Sequence, residues 1–237
     1  MSQSGFRFKQ FTIIQDKTAM KVGTDGVLLG AWTRPEKAAS ILDIGTGTGL
    51  IALMMAQKSK ALITAVEIEK DASDQAFQNI ENSPWYERIR VHQSSVQDFS
   101  VNSGKKFDLI VSNPPYFQQS LKNPCEKRTL ARHNDSLPLV ELIQVVLILL
   151  ESKGRFTVIL PADSWSHFNR LAEDAELFPN RKLLVKPNLM LPPKRILVEY
   201  SFSHTDCKTD EIAIEKYDRH DYTQEYRELT RDYYLAF

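Results

Sequence analysis

The 237-residue chain is predicted to fold as an α/β protein, a mostly parallel sheet of seven strands with helices on both faces. Three observations carry that expectation. Short apolar runs alternate with helix-length segments along most of the chain. Six of its nine glycines fall between Gly23 and Gly49, and three of those sit in the window Gly45–Gly49. The apolar run Phe107–Ser112 leads directly into Asn113-Pro114-Pro115-Tyr116, a stiff turn at what would be a strand's carboxyl end.

Ahead of the core, Phe6, Phe8 and Phe11–Ile14 suggest a strand and Asp25–Trp32 a short helix. Ile41–Ile44 is an apolar run entering the glycine window, and Leu50–Gln57 has helical composition. Ala61–Ile68 reads as the second core strand, with a polar helix from about Asp71 to Asn82. Arg88–His92 is the third strand and Phe107–Ser112 the fourth. Pro138–Leu150 has helical periodicity, Gly154 starts a turn, and Arg155–Leu160 forms the fifth strand. A helix near Asp163–Glu176 precedes Lys182–Val185 and Arg195–Phe202, expected to close the sheet as an antiparallel hairpin. Tyr222, Tyr226, Leu229 and Tyr233 recur at helical spacing, so they read as a helix docking on the core rather than as a stacking platform. The expected organisation is one domain: an N-terminal strand and helix extension over 1–40, a core over 41–203 and a helical extension over 204–237.

Composition narrows the function classes. Hydrophobic residues make up 42% of the chain, enough for a sizeable core, which excludes a disordered or collagen-like protein. Thirty Lys and Arg balance thirty Asp and Glu, so a wholly basic polyanion coat is excluded while a local basic patch is not. Cys125 and Cys207 are too few and too far apart for a disulfide framework or a zinc knuckle, and no histidine pair has metal spacing. Met1–Arg7 lacks the apolar core of a signal peptide. The longest apolar stretch, Val145–Leu150, falls far short of the roughly 18–20 residues that span a bilayer. A soluble, cytoplasmic monomer without a metal is the expectation.

The segment Leu42-Asp43-Ile44-Gly45-Thr46-Gly47-Thr48-Gly49-Leu50 joins a strand to a helix. A phosphate-binding P-loop would end in Gly-Lys-Ser/Thr, and Leu50-Ile51 is unlike it. A dinucleotide fingerprint wants Gly or Ala where Leu50 stands. The third reading is S-adenosylmethionine, whose turn is acidic-x-GxGxG, with Asp43 as the acid. A pyrophosphate would be repelled by Asp43, whereas a sulfonium ligand bearing an α-ammonium tolerates a carboxylate. Glu67, ending the second strand, is placed to accept hydrogen bonds from both ribose hydroxyls, with Glu69 as its competitor beyond the strand end.

At the fourth strand's end, a residue before proline is held extended, so the Asn113 amide projects from the sheet edge. The Pro114 carbonyl is left to accept from a ligand, and Tyr116 offers an aromatic face. Together these groups suit a planar amine: one hydrogen to Asn113, one to the Pro114 carbonyl, the ring stacked on Tyr116. Such acceptors expose the nitrogen lone pair for in-line attack on a sulfonium methyl, so catalysis would rest on positioning and electrostatics.

DIGTGTG, Glu67 and NPPY together resemble class I S-adenosylmethionine-dependent methyltransferases acting on an amino nitrogen, which have a Rossmann-like fold. The resemblance extends over nearly the whole chain. Phe8–Phe11, Ala19–Gly26, Leu29–Trp32, Asn82–Trp85 and Ser112–Tyr116 are similar to the bacterial tRNA1(Val) (adenine-N(6))-methyltransferase family. The resemblance implies methylation of the adenine immediately 3′ of a valine tRNA anticodon. It also implies that Lys21, Gly23 and Thr24, in the segment up to Asp25, flank the cofactor's methionine end. Asp43, Gly45, Gly47 and Gly49 would line its amino-acid part, Glu67 would hold the ribose, and Asn113 and Tyr116 would hold the target base. One departure stands out. Families of this kind often place an Asp after the third strand for the cofactor's adenine amine, where this chain has Ser94-Ser95-Val96, leaving Ser95 or Asp98 as acceptor.

Enzymes that methylate a release-factor glutamine carry the same tetrapeptide, and rRNA guanine methyltransferases carry a similar one. Only about forty residues precede Ile41 here, where those proteins usually have a substantial extra domain. A catalytically silent RNA- or partner-binding fold is the non-enzymatic rival, and the intact Asp43, Glu67 and Asn113 count against it. Two basic groups are candidates for flanking an RNA site: Lys122, Lys127, Arg128, Arg132 and His133, then Arg181, Lys182, Lys186, Lys194 and Arg195. Each is also readable as an ordinary solvated face.

Overall fold

Leu42, Ile110 and Val198 face one core while their chain neighbours Ile41, Leu109 and Leu197 face another. Alternation between two apolar environments marks strands buried on both sides, which only a sheet covered by two helical layers provides. The computed structural model describes residues 5–18, 21–115 and 137–237. The central strands are β3 (Ser40–Ile44), β4 (Leu62–Glu67), β5 (Ile89–Gln93) and β6 (Phe107–Ser112), with β1 (Gly5–Arg7) and β2 (Thr12–Ile14) forming a separate antiparallel hairpin. They are followed by β7 (Leu150–Pro161), β8 (Phe178–Asn188), β9 (Arg195–Ser201) and β10 (Lys208–Glu215). Among the described residues the main sheet runs β10-β8-β9-β7-β6-β3-β4-β5. Every pairing in it is parallel except the two made by β9, which lies antiparallel between β7 and β8.

One face is covered by α1 (Thr24–Trp32), α2 (Leu50–Lys58) and α7 (Gln224–Thr230), with Ile80 from α3 (Lys70–Glu81). The other is covered by α4 (Val96–Asn102), α5 (Leu139–Leu149) and α6 (Ala162–Asp174). The tyrosine stripe docks on the core as expected, but only Tyr226 and Leu229 lie in the helix: Tyr222 precedes it in a bridge with Glu215 and Tyr233 follows it in a turn. Tyr226 and Tyr233 are buried in the first core, and the Tyr233 hydroxyl donates to the Met54 carbonyl at 3.2 Å. The N-terminal hairpin meets this C-terminal segment, where Lys9 N–H donates to the Tyr233 carbonyl at 2.9 Å and Phe6 packs edge-on against Tyr234.

The sheet has eight strands rather than seven. The extra one, β10, was expected within a helical extension, but it pairs in parallel with β8 along Lys208–Glu215. Its outer residues are charged and exposed, the usual protection of a sheet edge, so it lacks the apolar alternation that reveals a strand. The expected closing hairpin is present, with β8 longer than Lys182–Val185 because both its neighbours supply hydrogen bonds. Gly154 does not start a turn; it lies within β7, at an irregularity where Leu150 and Arg155 flank it opposite Phe107 and Leu109. A side chain there would come within 2.9 Å of the Phe107 and Glu151 carbonyls, so the glycine permits close backbone approach.

Candidate active site

The sheet order sets out the site. The carboxyl ends of β6, β3, β4 and β5 lie side by side, about 4.8 Å apart per strand, so Asn113, the glycine turn, Glu67 and Ser94 line up along one edge. Ser112 pairs with Ile44, and its hydroxyl donates to the Ile44 carbonyl at 3.1 Å, which locks the start of the Asn113-Pro114-Pro115 turn against the glycine turn. A cleft of about 950 Å³ opens there, and Gly45, Gly47, Glu67, Ser95, Asn113 and Pro114 are all on its wall.

Gly45, Gly47 and Gly49 all have φ between +56° and +83°, in the left-handed region that L side chains rarely adopt. A Cβ on Gly45 or Gly47 would meet nothing within 4 Å, so the turn offers bare backbone to the cleft. Gly49 instead caps α2 and packs on Ala76 and Ile80; it does not line the cleft.

Asp43 works from behind this turn. It is fully buried and absent from the cleft wall. Its Oδ2 accepts from the Thr46 hydroxyl at 2.6 Å and from Ala52 N–H at 3.0 Å. The second bond satisfies an otherwise orphaned amide in the first turn of α2, where a negative charge is also favourable. Oδ1 is buried without a partner. Burial pushes the Asp43 carboxyl up to about 7, offset in part by the hydrogen bonds from Thr46 and Ala52 and reinforced by the nearby Glu67 charge.

Glu67 braces the turn from the next strand. Its Oε2 accepts from Gly47 N–H at 2.8 Å and its Oε1 from Glu69 N–H at 3.0 Å. Those two bonds use half of the four acceptor positions of a carboxylate, leaving capacity for hydroxyl donors from the cleft. Glu69 also lines the cleft but caps α3 from outside the strand. Asn79 ties the N-terminal hairpin to the turn, donating to the Ile14 and Thr48 carbonyls at 2.9 Å each and accepting from Ile14 N–H. The Gln75 amide oxygen accepts from Lys17 N–H at 3.3 Å, so Lys17 and Thr18 form another part of the wall.

The remaining candidates divide. Lys21, Gly23 and Thr24 lie at the start of α1 and are not on the cleft wall; the neighbouring Asp25 instead binds Arg195 at 2.8 Å. Tyr116, Lys122, Lys127, Arg128, Arg132 and His133 lie outside the described residues. In the second basic group, Arg181 is not a solvated cation: it is buried, 3.8 Å over the Trp32 ring and 3.2 Å from Glu199. Lys186 pairs with Glu211, and Lys182 sits 4.5 Å over the Trp165 ring. Lys194 is exposed and has no ion pair among the described residues. Sequence reasoning missed Lys17, Thr18, Gln97 and Glu141, which line the cleft from the N-terminal segment, α4 and α5. Nothing in their residue types or spacing marks them, since only the folded chain brings them to one edge.

These features suit a cationic, ribose-bearing ligand. The glycine backbone is open to the cleft, Glu67 has spare acceptor capacity, and the Ser94 hydroxyl on the wall has no partner among the described residues. Among the described residues there is no group of three or more His, Cys, Asp or Glu placed to hold a metal, and no helix long and apolar enough to cross a membrane.

Residues 19–137 match the family model described as methyltransferase small domain. The chain is 52% identical to a tRNA1(Val) (adenine(37)-N6)-methyltransferase of Bacteroides fragilis, over 99% of both chains. It is 47% identical to the protein of the same name from Trichodesmium erythraeum, over the whole of both. Among solved structures, a predicted O-methyltransferase from Agrobacterium tumefaciens superposes with a TM-score of 0.66 at 19% identity, covering 88% of this chain and 96% of that one. TYW2 from Pyrococcus horikoshii, in complex with MeSAdo, superposes with a TM-score of 0.59 at 13% identity, covering 85% and 72%. At such identities the structural likeness shows the fold, a Rossmann-like methyltransferase sheet.

Proposed function

Because the chain belongs to the family of tRNA1(Val) (adenine(37)-N6)-methyltransferases, we propose that it transfers a methyl group from S-adenosylmethionine to the exocyclic amine of adenine 37, beside the anticodon of that tRNA. The observation that carries the reading is the hydrogen bond from Ser112 to Ile44, which sets the Asn113-Pro114 turn beside the glycine turn in one cleft. When bound, S-adenosylmethionine supplies an electrophilic methyl group. Gly45 and Gly47 receive its amino-acid end through bare backbone, and Glu67 receives the ribose hydroxyls. Asp43 acts as a positioning residue, holding Thr46 and the start of α2 so that the turn keeps its shape. Lys17 and Thr18 line the wall; Lys21, Gly23 and Thr24, at the start of α1 and off that wall, are assigned to the methionine end on the family resemblance alone.

The Asn113 amide oxygen and the Pro114 carbonyl accept the two hydrogens of the target amine, with Tyr116 stacked on the base. Those acceptors would turn the nitrogen lone pair toward the methyl group. As the nitrogen–carbon bond formed, the carbon–sulfur bond would break with its electron pair returning to sulfur. S-adenosylhomocysteine would leave as a neutral thioether, and the positively charged amine would release one proton to solvent. No general base is required ahead of the transfer, and the acceptors stabilise the developing charge. Anticodon-loop bases are partly unstacked, so presenting one in this cleft costs less than extrusion from a duplex. Lys194 and Arg195 at the same sheet edge, with Lys122, Arg128 and Arg132, are assigned to the RNA; for Arg195 that contact would compete with its bond to Asp25. We further infer that the chain forms one methyltransferase domain over 1–237, a reading supported by the contact between its N-terminal hairpin and C-terminal segment, and that it works in the cytoplasm as a monomer.

The test is transfer of labelled methyl from S-adenosylmethionine to unmodified tRNA, rRNA and release factor in parallel. Label in tRNA alone supports the reading. Label in a release-factor glutamine or in rRNA assigns the protein to a rival class, and no label in any substrate supports a silent fold.

A further inference from the structure

The position where related enzymes often carry an acidic residue for the cofactor's adenine amine is Ser95 here, and neither local substitute presents a carboxylate to the cleft. Ser95 caps α4: its hydroxyl donates to Asp98 Oδ2 at 2.6 Å and accepts from Asp98 N–H at 3.0 Å. Asp98 is exposed and does not line the cleft. The purine must nevertheless lie at this end. Along the sheet edge the turn of β3 faces the amino-acid part and Glu67 at the end of β4 faces the ribose, so the base extends toward the exit of β5, where Ser94–Gln97 form the wall.

A different carboxylate reaches that wall. Glu141, in the first turn of α5, lines the same cleft and accepts from the Gln97 side-chain amide at 2.7 Å. Among the described residues Gln97 is the donor to its Oε2, and no donor engages Oε1. An amide clamped to one oxygen fixes the carboxylate plane and leaves the other oxygen for a donor from the ligand. We propose that Glu141, oriented by Gln97, accepts the exocyclic amine of the cofactor's adenine and so selects adenine over a purine bearing a carbonyl at that position. The role of the missing acid has moved from the loop after β5 to the helix across the cleft. Glu141 is the binding group; Gln97 is a positioning residue.

This inference rests on the S-adenosylmethionine reading, and the experiment separates the two. Calorimetry measures binding of S-adenosylhomocysteine and of S-inosylhomocysteine, whose carbonyl would face the Glu141 carboxylate. The parent protein should prefer the adenine form by at least about tenfold, the scale of a charge-assisted hydrogen bond. Glu141→Gln keeps size and shape but offers an amide N–H to the carbonyl, so the preference should collapse or reverse. Gln97→Ala should reduce the preference without abolishing it, whereas Asp98→Asn should leave it unchanged. Thermal melting without ligand checks that each variant folds. A Glu141→Gln protein that keeps the parent's preference, or loses both ligands equally, overturns the proposal. If the parent binds neither ligand, the cofactor reading fails and this inference with it.

Discussion

Substituting Asp43 by Asn should remove a pH dependence of stability that the native protein carries. The carboxyl is fully buried, and burial raises it from 3.8 to about 7. Below pH 3.8 both folded and unfolded chains hold this proton. Between that value and about 7 only the native state holds it, so stability falls as pH rises, and above 7 the contribution is gone. The slope is about 1.4 kcal/mol per pH unit near pH 5 and falls to half of that at 7, where the native carboxyl is half deprotonated, so this one group predicts a loss of about 2 kcal/mol between pH 5 and 7. Asn keeps a carbonyl oxygen for the Thr46 hydroxyl and Ala52 N–H while staying neutral throughout. Its amide nitrogen would occupy the place of the unpartnered Oδ1, which lowers stability by a constant amount at every pH. Urea unfolding of both proteins at pH 5, 6, 7 and 8 isolates the effect, because titrating groups not coupled to Asp43 cancel in the difference. The native protein should lose about 2 kcal/mol more than the variant between pH 5 and 7, with the curves becoming parallel only about one unit above 7. Curves that stay parallel across the whole range would refute the argument that this carboxyl is neutral in the folded core.

Three further outcomes follow from the cleft. Glu67→Gln should weaken cofactor binding roughly ten- to a hundredfold by calorimetry, since it removes a charged acceptor and loosens the bond that holds Gly47 N–H. Asn113→Ala should leave cofactor affinity largely intact while cutting the single-turnover rate at least about a hundredfold, the usual cost of losing a positioned electrostatic group; an unchanged rate would reject its role. Lys194→Ala should weaken tRNA binding and lower the salt-dependence slope by about one, read from binding at several salt concentrations, without altering cofactor affinity.

The parts of the site that lie within a few residues of a strand end were readable from the chain. Asp43, the three glycines, Glu67 and Asn113-Pro114 each follow an apolar run, and the βα rule sends every such segment to one edge of the sheet. What local pattern could not supply was the use to which each group is put. Asp43 has the composition of a ligand contact but serves the helix behind the turn, because the Ala52 amide needs an acceptor there. Arg181 looks like part of a basic surface, yet Trp32 and Glu199, brought close by tertiary packing, bury it. The same limit explains β10, whose charged sequence becomes a strand because the edge of β8 offers hydrogen-bond partners. Glu141 and Gln97 are separated by a whole βα unit and look like ordinary helix-surface residues until α4 and α5 pack together.

The central claim is tested most directly by mapping the product. Purified protein is incubated with S-adenosylmethionine and unmodified tRNA1(Val), and the RNA is digested to nucleosides and to sequenced fragments for mass spectrometry. The account predicts one added methyl group, on the exocyclic amine of adenine 37, absent when Asn113→Ala replaces the native protein. A methyl group at another nucleotide, on another atom of that adenine, or transferred equally well by the Asn113 variant would contradict it.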